Sequence, residues 1–167
     1  ETEIGVVEMG ANHQEEIEFL CKIAEPDFGY ITNFGKAHLE GFGGVEGVIK
    51  GKSELYTYLR NNNKTAIVNL DDPIQVEKAH DISHFTFSNS NQNANSYISS
   101  VAAEPFVVVT SNEITITSNL IGSYNATNIC AAITIGRLFG VADLKIKEAI
   151  ESYTPANNRS QLIERNS

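Results

Sequence analysis

Residues 28–69 read FGYITNFGKAHLEGFGGVEGVIKGKSELYTYLRNNNKTAIVN. Two short apolar runs, 28–32 and 65–69, frame a stretch with helical periodicity. In it Val45, Val48, Ile49, Leu55, Tyr56 and Leu59 recur three and four residues apart. Strand, helix, strand in that order are the elements of a parallel crossover. The helical stripe also carries Lys52. A lysine on an apolar face must lose its charge, reach outward to water, or meet an anion.

The pattern extends in both directions. Upstream, residues 4–9 read as an apolar strand interrupted by Glu8. Asn12 with Glu15 three residues later reads as a capping box. The helix it opens has Ile17, Leu20, Cys21 and Ala24 on one face, and Pro26 ends it. Downstream, L-D-D-P leads into a short helix over 74–79. Three strand–helix pairs predict a parallel sheet, which binds ligands at the carboxyl ends of its strands.

From His84 the character changes. H-F-T-F, S-Y-I-S-S-V-A-A, P-F-V-V-V-T and E-I-T-I-T-S read as a small antiparallel sheet, with T-S-N-E as a hairpin turn. The run S-N-S-N-Q-N-A-N-S reads as a low-complexity loop. Two helices follow, one over 125–139 and one after Asp143 as its cap, with Ile146, Ala149, Ile150 and Tyr153 on one face. The expected class is α/β: a mostly parallel sheet with crossover helices plus a small antiparallel sheet.

The chain has 167 residues, room for one domain with a core. Its formal charge of −9 argues against broad nucleic-acid binding, which needs a basic surface. No apolar run approaches membrane-spanning length. Cys21 and Cys130 each sit on an apolar helical stripe and read as reduced core residues of a cytosolic protein.

Three residues stand out chemically. Glu8 lies in an otherwise apolar run, His38 in a glycine-rich loop, and Lys52 on the buried stripe of the next helix. Burial lowers a lysine's pKa, and a neutral amine reacts with carbon dioxide to give a carbamate, an anion able to bind a metal. A glutamate, a histidine and a carbamate at one sheet edge would suit magnesium and phosphate chemistry. The sequence holds no G-x-x-x-x-G-K-[ST] to cradle those phosphates.

The strings E-M-G-A-N-H-Q-E-E-I, I-T-N-F-G-K-A-H-L-E-G-F-G, K-S-E-L, V-N-L-D-D-P and N-A-T-N-I-C-A-A resemble, in that order, the central domain of the Mur ligases. The first two are most similar to the member that adds D-Ala-D-Ala to UDP-N-acetylmuramoyl-tripeptide. The resemblance implies an ATPase domain over 1–155. It further implies a phosphate-binding loop before residue 1, and a linker into a further domain over 156–167. It implies ATP and Mg2+ as cofactors, an acyl phosphate intermediate, and a monomeric bacterial cytoplasmic ligase of peptidoglycan synthesis, serving cell-wall biogenesis, cell shape and division. It assigns Glu8 and His38 as magnesium ligands, with Lys52 carbamylated to hold a second magnesium. Asn125, Asn128 and Arg159 are assigned to the nucleotide. Tyr124 stands where many members have histidine, and N-N-R where proline-glycine-arginine is commoner. The isolated chain, without its phosphate cradle, is expected not to hydrolyse ATP. Two other readings stay open: another Mur ligase or a folylpolyglutamate synthetase relative, and a non-catalytic nucleotide-binding module.

Overall fold

The structure, a computed structural model, describes residues 2–35 and 39–155. His38, Arg159 and the 156–167 segment lie outside the described residues. The elements, in chain order, are α1 (Glu16–Ala24), β1 (Phe28–Tyr30), α2 (Leu39–Phe42), α3 (Val45–Asn61), β2 (Thr65–Asn69), α4 (Pro73–Ala79) and β3 (Ser83–Ser88). They continue with β4 (Ser96–Tyr97), β5 (Ser100–Ala103), β6 (Phe106–Ser111), β7 (Ile114–Ile121), α5 (Ser123–Leu138) and α6 (Asp143–Ser152). One sheet has the order β1-β2-β3-β4, parallel at β1–β2 and at β3–β4. The other is antiparallel, β5-β6-β7. The expected α/β class is the observed one.

The chain divides into two compact units, one of residues 1–68 and 72–85, the other of residues 69–71 and the chain from Thr86 onward. In the first, the crossover is the one read from 28–69. The α3 face of Val48, Tyr56 and Leu59 is buried. Gly29 at the centre of β1 makes that packing possible, because a Cβ there would lie 2.9 Å from the Leu59 side chain and 3.0 Å from that of Leu55. Asp72 caps α4 by accepting the N–H groups of Ile74 and Gln75, with Pro73 at the first helical position. The fully buried Gln75 then donates to the carbonyl of Ile31 at 3.0 Å.

Two expectations for this unit are corrected. Residues 4–9 form no strand; Val6 is 92% exposed and Val7 63%. Apolar, β-branched composition favours a strand only where a neighbouring edge takes its hydrogen bonds and a face takes its side chains, and residues 4–9 have no such partner among the described residues. The Asn12–Glu15 capping box is also absent. Helix α1 starts at Glu16, and Glu15 is left-handed (φ 71°) with no side-chain cap bond. Instead the Glu16 carboxylate reaches back to the N–H groups of Asn12 and His13, at 2.6 and 3.1 Å.

In the second unit, only β5, β6 and β7 are antiparallel. The H-F-T-F and S-Y segments lie in β3 and β4 and pair in parallel, Phe87 opposite Ser96 and Ser88 opposite Tyr97. Alternation marks a strand but not its partner's direction. The asparagine-rich run is an ordered connection rather than filler. Asn95 Oδ1 accepts from the N–H and the hydroxyl of Thr86, and Ser88 Oγ accepts the Asn91 N–H. Asp143 is not the cap of α6, which Ala142 precedes; its carboxylate is taken by Arg137 at 2.7 and 2.9 Å.

The expected hairpin turn is present, with Ser111 opposite Ile114. Its two central residues, Asn112 (φ 50°) and Glu113 (φ 63°), are both left-handed, the geometry that favours Asn-Gly. Glu113→Gly is expected to raise stability by about 0.5–1 kcal/mol, since a non-glycine residue is strained there. A denaturation midpoint that fails to rise would contradict this.

Candidate active site

Lys52 is half-buried on α3. It donates to the Asn33 carbonyl at 2.7 Å and to Asn33 Oδ1 at 3.3 Å. No carboxylate pairs with it among the described residues. Burial lowers its pKa from the ordinary lysine value. Asn33 also accepts the Gly35 N–H at 2.9 Å, so the T-N-F-G segment after β1 forms a local turn. The turn directs two carbonyl oxygens at one cation.

The arrangement fits a hard cation in one respect and lacks something in another. Converging carbonyl oxygens already hold a positive charge at Lys52. Yet an ammonium is no metal ligand, and the described residues contain no group of three His, Cys, Asp or Glu side chains able to hold a metal. Glu8 is exposed and lies in no strand.

In the second unit, the asparagine pair lies on the first turns of α5. Asn125 is buried and donates through Nδ2 to the Ile121 carbonyl at 2.8 Å. Asn128 is exposed, with its amide 3.5 Å from Asn125 Oδ1, at the limit of a hydrogen bond. Asn125 therefore braces the start of its helix, while Asn128 faces solvent beside exposed Tyr124.

Three residues that organise their surroundings by hydrogen bonds escaped the sequence reading. Asn33 receives Lys52 through a main-chain carbonyl, which no residue pattern displays. Glu54 reaches a helix 36 to 39 residues away. Asp71 organises the turn after β3, accepting from Ser88 Oγ (2.6 Å), Ser90 Oγ (2.5 Å) and the Asn89 N–H (2.7 Å). Burial pushes the Asp71 pKa up, but these donors outweigh it and hold the carboxyl below its ordinary range. The two cysteines carry no chemistry: both are buried, and burial raises each thiol to about 11.

Residues 1–136 match the Mur ligase middle domain. The chain belongs to the Mur ligase family. This Mur ligase domain is 31% identical to the UDP-N-acetylmuramoyl-tripeptide–D-alanyl-D-alanine ligase of Haemophilus influenzae, over 92% of this chain and 34% of that protein. It also resembles MurF from Acinetobacter baumannii, with a TM-score of 0.78 and 26% identity over 93% of this chain and 35% of that one. A third likeness is to the MurF ligase from Thermotoga maritima in complex with ADP. Its TM-score is 0.69 and its identity 25%, over 89% of this chain and 35% of that one. The chain thus spans about a third of the length of the relatives it matches. No helix among the described residues is long and apolar enough to cross a membrane.

Proposed function

We propose that this Mur ligase domain is the ATPase part, residues 1–155, of a bacterial cytoplasmic ligase that joins D-Ala-D-Ala to UDP-N-acetylmuramoyl-tripeptide in peptidoglycan synthesis. The observation that carries the reading is the likeness, over 92% of this chain, to a relative named for that activity. In the proposed reaction ATP phosphorylates the tripeptide carboxylate, and the dipeptide amine displaces phosphate from the acyl phosphate. The enzyme is taken to work as a monomer.

Glu8, His38 and Lys52 would hold Mg2+, which when bound neutralises phosphate charge. For Lys52 this requires carbamylation. The neutral amine's lone pair adds to the carbon of carbon dioxide, a C=O electron pair moves to oxygen, and the amine's proton leaves to solvent. The side chain then carries one negative charge. Half-burial, with no carboxylate partner among the described residues, supports this reading of Lys52. Asn125, Asn128 and Arg159 would serve the nucleotide, Asn125 by bracing the helix that presents Asn128.

The test is ADP release by the complete protein with UDP-N-acetylmuramoyl-tripeptide, comparing D-Ala-D-Ala with single amino acids. Release that depends on the dipeptide is expected. Release driven by one amino acid would move the protein elsewhere in the family, and none with any acceptor would favour a binding module.

A further inference from the structure

Two buried hydroxyls of the first unit, Tyr56 Oη and Ser53 Oγ, have no hydrogen-bonding partner among the described residues, and both belong to α3. The Tyr56 side chain is fully buried. A hydroxyl taken out of water without a replacement bond loses its hydration, and folded proteins almost always supply that replacement. The same unit does so at Gln75, which is equally buried. Its amide donates to the Ile31 carbonyl at 3.0 Å and to Asp72 Oδ2 at 3.3 Å.

The helix brings the two hydroxyls toward each other. Residues three apart share a helix face, and long helical side chains lean toward the N-terminus, here from Tyr56 toward Ser53. Their surroundings are polar. Burial, and after it the influence of Tyr30 and Asp72, pushes the Tyr56 phenol well above the ordinary tyrosine value. The phenol therefore stays protonated and keeps a proton to donate. Tyr30 ends β1 and Asp72 heads α4, but Tyr56 bonds directly to neither.

One small group that both donates and accepts would satisfy the pair. An anion is disfavoured near the Asp72 carboxylate, and the described residues offer no set of metal-binding side chains. Water fits. It can accept the Tyr56 proton and donate to Ser53 Oγ, as buried waters do when they join two to four polar groups. We infer that a buried water molecule is bound between Tyr56 Oη and Ser53 Oγ as a fixed part of the fold. The site is independent of the activity proposed above.

The experiment is a crystal structure of the complete protein that shows ordered water, together with hydrogen exchange of the α3 amides in wild type and variants. A water within about 3 Å of both oxygens is expected. Tyr56→Phe keeps the ring and removes the hydroxyl, so the α3 amides should exchange about fivefold faster, the loss of one net hydrogen bond. Adding Ser53→Ala should accelerate exchange no further, because the water is already lost. A hydroxyl that truly lacked a partner predicts the opposite sign, since phenylalanine would then remove a cost. Slower or unchanged exchange in Tyr56→Phe, or further acceleration in the double variant, would overturn the inference. So would a crystal structure in which Tyr56 Oη bonds directly to a protein group or meets no water.

Discussion

Lys52→Ala in the complete protein is expected to lower acceptor-dependent ADP release on the order of 10³-fold, the scale of deleting one preorganised electrostatic group from a reacting centre. Its effect on stability should be small by comparison. The Nζ group makes two hydrogen bonds, both to Asn33, and the side chain is only half-buried. Their loss is worth about 1 kcal/mol. The deletion leaves space where the account places a carboxylate-like anion, so formate, acetate or propionate should restore part of the activity. Activity lost without any rescue would indicate instead that Lys52 works as a cation.

Arg137→Ala is expected to destabilise the second unit by about 3 kcal/mol. Only 14% of the Arg137 side chain is exposed, and it meets the Asp143 carboxylate through two nitrogens at 2.7 and 2.9 Å. Its remaining donor reaches Ser96 Oγ and Ser111 Oγ, each at 2.8 Å. One side chain thus joins α5, α6, β4 and β6. Alanine would take the bidentate partner from the half-buried Asp143 carboxylate, which keeps the Asn112 amide at 3.2 Å, and a donor from the buried Ser96 and Ser111 hydroxyls. For a chain of this size the melting temperature should drop by about 8 °C. The arginine's hydrogen bonds hold the Asp143 carboxyl below its ordinary pKa. That stabilisation is complete above the unfolded carboxylate value and is lost as pH falls through the folded one. The variant should therefore show a smaller loss of stability on acidification than wild type. A melting temperature within about 2 °C of wild type would contradict this account of the network.

What the sequence disclosed follows from the range of each interaction. Periodicity is local, so α3, β2 and the crossover between β1 and β2 were legible, as was the half-buried place of Lys52 on α3. The T-S-N-E turn was legible because its chemistry is contained in two residues. Hydrogen bonds that span the chain were not. Nothing near Glu54 announces the N-terminus of α1, and nothing in L-D-D-P says that Asp71 gathers Ser88, Asn89 and Ser90. The strand direction of 83–88 and 96–97 depends on their neighbours, which alternation does not encode. Residues 4–9 show the converse failure, since strand composition without a pairing edge leaves Val6 and Val7 in water. At the site, the family strings pointed to Glu8 and Lys52, but Asn33 came to light only through its carbonyl oxygens.

The anionic state proposed for Lys52 is observable directly. The complete protein would be held with Mg2+, a non-hydrolysable ATP analogue and ¹³C-bicarbonate, and its ¹³C spectrum recorded beside that of Lys52→Ala. A carbamate resonance is expected in the wild type and is missing from the variant. A wild-type spectrum with nucleotide and Mg2+ bound but no such resonance would contradict it, and would leave Lys52 a cation held by Asn33.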